Sequence, residues 1–193
     1  MTQRERVAET IVLVEDTVTQ NFVRRYLQRC WRDDYVSKKV HFKKSASAKG
    51  SAEHFVRANI ADEVRSCRRR IRAGPSTMLI VVMDADSQST QHERSMLRDE
   101  LSRVNLQWPK SDEPIAILIP KRNLETWIRA LLGNAADEET DYSKRPFTAP
   151  PPKDIQTAAE KLFDNMRASP ELPPAWPQSL RDSIPEWRKI ELT

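Results

Sequence analysis

A chain of 193 residues, 38% apolar and 31% charged, has the length for one domain with a buried core under a very polar surface. Its three glycines match neither of the glycine-rich phosphate loops GxxxxGK[ST] and GxGxxG, which excludes both. The net charge of +4 permits a nucleic-acid partner without demanding one, and two isolated cysteines with three scattered histidines argue against a structural zinc site.

The N-terminal MTQRERVAET is polar and has no apolar signal core. Residues 10–14 (TIVLV) read as a strand buried on both faces, as a parallel sheet requires. Over residues 17–32 a helical pattern puts Val18, Phe22, Val23, Tyr26, Leu27 and Cys30 on one face, with Asp16 or Thr17 placed to cap it. YVSKKVHF (35–42) alternates and reads as an edge strand guarded by lysines. The loop KKSASAKGS after it, with Lys43, Lys44 and Lys49, reads as exposed. A second long helix spans 52–72 and ends at Gly74-Pro75. Then come a buried strand at 77–83 (TMLIVVM), a helix at 89–104, a strand at 115–119 (IAILI) and a helix at 123–132 closed by Gly133, with Trp127 on its core face.

This alternation of strand and helix predicts an α/β, Rossmann-like domain over residues 1–133, a mostly parallel central sheet flanked by helices. Residues 134–193 differ in character. They hold the acidic stretch DEETD, the proline-rich connector RPFTAPPP, an amphipathic helix at 154–168 and a last helical turn or two around SLRDSIPEWRKI. They are expected to form a small helical, proline-rich C-terminal extension packed on the sheet domain. The longest apolar runs are far too short to span a bilayer, and the thiols suit a reducing compartment, so a cytoplasmic location without membrane contact is expected.

Three strands end in acids. Glu15 and Asp16 follow the first, Asp84 and Asp86 follow the strand at 77–83, and Glu125 lies about one helical turn past the last. Ligands of open α/β sheets bind beyond the carboxyl ends of the strands. If these strands are neighbours, the carboxylates converge there, and Asp84 and Asp86, at alternate positions of an extended segment, point the same way. Several hard oxygen ligands with open positions describe a Mg²⁺ or Mn²⁺ site completed by water and substrate phosphate. The basic run RSCRRRIR, with Arg68, Arg69 and Arg70, and the lysines Lys43 and Lys44 are candidate phosphate contacts; a solvated helix face near a C-terminus is the plain alternative for the arginines.

The segments IVLVED…FVRRYL, LIVVMDAD and ILIPKRNLETWI, in that order over residues 10–132, resemble a Toprim domain. They are most similar to the small stand-alone Toprim-like proteins related to the OLD-family (overcoming lysogenization defect) nucleases. The resemblance implies metal ligands at Glu15, Asp84 and Asp86, a further acid at Glu125, and Lys121 and Arg122 as holders of a scissile phosphate. Two positions depart from the family: Asp16 replaces a glycine, and Thr19 stands where nuclease members carry an acid for a second metal. Asp16 is then a candidate substitute ligand, or the site holds one ion. The implied activity is that of a Mg²⁺- or Mn²⁺-dependent endonuclease on nucleic acid, DNA before RNA. It would be the effector beside an ABC-type ATPase in defence against phage, with a homo-oligomer left open.

The alternative is a non-catalytic Toprim-fold subunit that binds nucleic acid or serves assembly. A two-component receiver domain also places paired acids after its first strand and a lysine after a later one. Here 69 positions separate Glu15 from Asp84, more than a receiver's interval, and the proline and glycine turn after a receiver's phospho-acceptor is missing.

Overall fold

The computed structural model describes residues 8–44, 52–74, 77–144, 146–168 and 172–192. Lys49 and the rest of the expected loop over 45–51, like Pro75, lie outside the described residues. Four strands, β1 (Glu9–Leu13), β2 (Val40–Lys43), β3 (Thr77–Val82) and β4 (Ile115–Leu118), form one all-parallel sheet in the order β2-β1-β3-β4. Around it lie α1 (Thr17–Cys30), α2 (Asp33–Lys39), α3 (Ala52–Ala73), α4 (Thr90–Arg103), α5 (Leu124–Leu132), α6 (Pro152–Ala168), α7 (Gln178–Asp182) and α8 (Ile184–Leu192). This is the Rossmann-like α/β architecture that the sequence pattern predicts. No helix among the described residues is long and apolar enough to cross a membrane.

Every residue of β3 and β4 is buried, because each strand has a helical layer on both sides. Successive side chains of a strand point to opposite faces, and the core divides accordingly. Val12, Ile80, Val82 and Leu118 pack with α1, α5, α6 and α8. Ile11, Leu13, Leu79 and Val81 pack with α3 and α4. Both cysteines are free, and burial pushes the Cys30 thiol up to about 12 and that of Cys67 up to about 11.

The expected strand at 35–42 is corrected to a short helix followed by a short strand. Asp33 and Asp34 open α2 and Lys38 and Lys39 close it, each charge matched to its end of the helix dipole, and only Val36 is buried. Pairing begins at Val40, and Val40–Lys43 is the lysine-bearing edge strand.

The C-terminal extension builds one face of the core and one edge of the sheet. Ile155, Leu162 and Met166 of α6 join the cluster under α1, and Trp187 of α8 lies 4.4 Å from Tyr26, ring to ring. In α5, Trp127 donates its Nε1–H to Ser179 Oγ at 2.7 Å. The open edge of β4 is served by side chains of α8: Ile117 N–H donates to Glu186 Oε2 (3.1 Å), and Lys189 Nζ donates to the carbonyl of Ile115 (3.2 Å). An edge so covered offers no ladder to another strand.

Candidate functional site

The strand order makes β1 and β3 neighbours, with β4 beside β3, so the ends that carry the acids lie side by side. Pairing runs past the strand ends. Val14 N–H donates to the carbonyl of Lys43 (3.0 Å), Met83 N–H to that of Leu118 (3.2 Å) and Ala85 N–H to that of Pro120 (2.9 Å). Asp84 is therefore held extended between two paired residues. It shares the parity of Met78, Ile80 and Val82, which face α1 and α5.

That direction brings Asp84 toward Asp16 at the head of α1 and Glu125 in the first turn of α5. Burial pushes the Asp84 carboxyl well above the usual carboxylate range, and the charges of Glu15, Glu125, Asp16 and Asp86 add to it in that order. Its Oδ1 is closed off from solvent with no hydrogen-bond partner. Glu125 is only 6% exposed, and burial, joined by the charges of Asp16 and Asp141, raises its carboxyl to about 7. Two neighbouring acids thus resist ionisation, as burial beside like charges requires.

Asp86 behaves differently from the sequence expectation, while Asp16 takes the capping role expected of it or Thr17. The extended path ends at Ala85: Asp86 has a φ of +48°, in the left-handed region, and is exposed, and Gln88 N–H closes the turn on the Ala85 carbonyl at 2.8 Å. Asp84 and Asp86 therefore do not project alike. Asp16 is the N-cap of α1, its Oδ1 accepting from Thr19 N–H at 2.7 Å, while Thr19 itself is buried. Among the described residues no three His, Cys, Asp or Glu side chains stand as a ready set of metal ligands. The donor chemistry, carboxylate oxygens around an unsatisfied buried Oδ1, suits a hard divalent cation.

Comparison of the chain with protein-family models, curated proteins and solved structures found no match.

The basic residues divide between the two ends of the sheet. Lys43 and Lys44 follow β2 at the carboxylate end, where Lys43 pairs with Glu63 (2.7 Å) and Lys44 Nζ donates to Thr17 Oγ1 (2.8 Å). Lys121 and Arg122 follow β4 at the same end. The arginines of α3 do not join them. Arg68 binds Glu113, just ahead of β4, through two bonds of 3.0 and 2.7 Å, and Arg70 meets Glu9, at the start of β1, at 2.5 Å. Arg69, exposed, lies on the same final turns of α3. With a rise of about 3.3 Å per residue, Glu9 and Glu15 lie roughly 20 Å apart, so this arginine cluster is a strand's length from the carboxylates.

Sequence reasoning passed over one partner of the site, the acidic stretch 137–141. Its Glu139 forms an ion pair with Lys121, and its Asp141 lies 3.9 Å from Arg122 and accepts from Asn123 Nδ2 at 2.8 Å. The hydrogen bond to Glu139 raises the Lys121 ammonium above its usual range. Burial acts to raise Asp141, but hydrogen bonds from Lys144 and Ser143 outweigh it and hold the carboxyl down at about 2. The signal was the opposite charge of DEETD and the KR pair, read as composition rather than as contact.

Proposed function

We propose that this chain is a metal-dependent nuclease of Toprim type that cuts phosphodiester bonds of nucleic acid, with Glu15, Asp84 and Asp86 holding Mg²⁺ or Mn²⁺. The observation that carries the reading is Asp84, whose Oδ1 is sealed and unsatisfied at the end of a central strand, within the field of four other carboxylates. Buried like charges are costly unless protonated or offset, and a divalent cation offsets several at once. When bound, the ion would polarise the phosphate and lower the pKa of an attacking water.

The chain's own groups divide the remaining work. Asp84 would anchor the ion through its enclosed carboxylate, with Glu15 and Asp86, whose charges act on it, as its fellow ligands. Glu125, a carboxylate in the same field, would take the proton of the attacking water. Lys121 Nζ, once exchanged from Glu139 to a phosphate, would stabilise developing charge. The resemblance adds DNA as the substrate and an ABC-type ATPase as partner in a defence role. The sequence carries no Walker loop, so ATP hydrolysis in such a pair belongs to the other chain.

Two measurements test this. Calorimetric titration of Mn²⁺ should give binding heat with the wild type and little with Asp84→Ala; equal heats remove Asp84 as a ligand. Plasmid nicking with Mg²⁺ or Mn²⁺ should fall to background in Asp84→Ala, and equal nicking by both proteins sinks the nuclease.

A second reading, a non-catalytic nucleic-acid-binding or assembly subunit on the same fold, has its own support. Thr19 is buried where an acid would serve a second metal, and one Asp16 oxygen is already engaged in the helix cap. That reading expects metal heat without nicking.

A further inference from the structure

Beside the carboxylates lies a cleft of about 310 Å³, bounded by α5, α6 and the proline-rich connector. Glu125 belongs to both places, lining the cleft and adding to the field on Asp84. In the cleft the guanidinium of Arg129 lies 4.6 Å from the ring centroid of Tyr142 and 5.3 Å from that of Phe147. The two rings meet edge to face at 4.8 Å. No described carboxylate pairs with Arg129. One Nη donates to the carbonyl of Ala135 at 3.4 Å, and its buried Nε has no hydrogen-bond partner. Aromatic rings hold this cation where an acid would ordinarily do so. Glu125 and Asp154 add acceptor oxygens to the wall, and Thr148 stands exposed at the rim.

We propose that this cleft takes one unstacked nucleobase of a single-stranded nucleic acid, a subsite that rests on the nucleic-acid reading of the carboxylate centre beside it. The guanidinium plane and its two rings form a stacking platform of the kind that receives bases. The acceptors on Glu125 and Asp154 suit the exocyclic amino group of adenine, cytosine or guanine. The volume lies at the small end of ligand pockets, roughly 300–1,000 Å³, and admits one base but not a base pair. A duplex would have to release the base from its stack first, at an added cost. Since Glu125 is shared, a base in the cleft sets its own backbone phosphate beside the carboxylates.

The test is binding, read by fluorescence anisotropy in EDTA, where no metal-dependent cutting occurs. The probes are a labelled single-stranded oligodeoxyadenylate and a strand of the same length made of abasic residues. The adenylate strand should bind about tenfold tighter or more, the scale of base stacking on an aromatic platform. Thr148→Trp, which fills the cleft from its rim, should bring the two strands to parity. Phe147→Leu, which removes a ring and keeps an apolar side chain, should reduce the preference, with melting temperatures of both variants establishing that they fold. Equal or absent binding of the two strands by the wild type, or a preference that survives both folded variants, overturns the proposal. A protein that prefers the adenylate strand yet nicks plasmid with Mn²⁺ no faster than its nicking-competent Asp84→Ala variant retains the base subsite and loses the nuclease. One that cuts without the preference does the reverse.

Discussion

Glu125 links the chemistry of the site to the stability of the fold. Unfolded, a glutamate ionises near 4.5; in the folded chain this one ionises near 7. Between those values the folded state keeps a proton that the unfolded state has lost. Stability therefore falls as pH rises from about 4.5 to about 7 and is level above that, a loss of up to about 3 kcal/mol at 1.4 kcal/mol per unit. Glu125→Gln cannot ionise, so thermal melts should show it more stable than the wild type at pH 8 and equal to it near pH 4. A gap that does not vary with pH would refute the assignment. Asp84 shifts in the same direction, so Asp84→Asn should flatten the profile further, and Mn²⁺ bound to the wild type should narrow the gap at high pH. At this scale Glu15, Asp84 and Glu125 were legible, because strand ends are visible as the points where apolar runs stop. The left-handed turn at Asp86 was not, since aspartate is tolerated both in that conformation and in extended chain.

Among the elements, regular helices and central strands were legible from periodicity, and the segment 33–43 was not. YVSKK alternates as a strand would, but a single buried residue, Val36, satisfies a short helix equally well, and the charges at its two ends favour that helix. The helices of the extension were legible as amphipathic, while the groups they meet were not, since hydrogen bonds across 52 or 69 positions leave no local trace. One such bond makes a sharp prediction. Ser179→Ala leaves the buried Trp127 Nε1–H without its acceptor and should cost about 1–3 kcal/mol in denaturant unfolding. A loss within a few tenths of a kcal/mol of zero would mean that the indole finds another partner.

For the whole molecule, the change in composition at residue 134 marks a change in chain chemistry rather than a boundary of packing. The core on the α1 side is completed by α6, α7 and α8, with Leu162, Leu180, Trp187 and Ile190 fully buried. A chain truncated after Gly133 should expose that face and the β4 edge together. It should lose the cooperative calorimetric transition of the full chain and gain binding of a hydrophobic dye. A truncated chain with a sharp melt would establish the first 133 residues as an independent domain.

The ion pairs at the end of β4 bear on how the protein would respond to its medium. Cations on a protein that meet nucleic acid ordinarily drive small ions off the polyanion, and that release makes binding fall steeply with added salt. Here Glu139 and Asp141 already occupy the neighbourhood of Lys121 and Arg122. A phosphate arriving there exchanges places with a carboxylate of the same chain, and the freed carboxylates draw small cations back from solution. Each such contact then contributes little net ion release. The slope of affinity against salt would count Lys44, held by the Thr17 hydroxyl, more fully than Lys121 and Arg122, and Lys43, paired with Glu63, would count as little as they do.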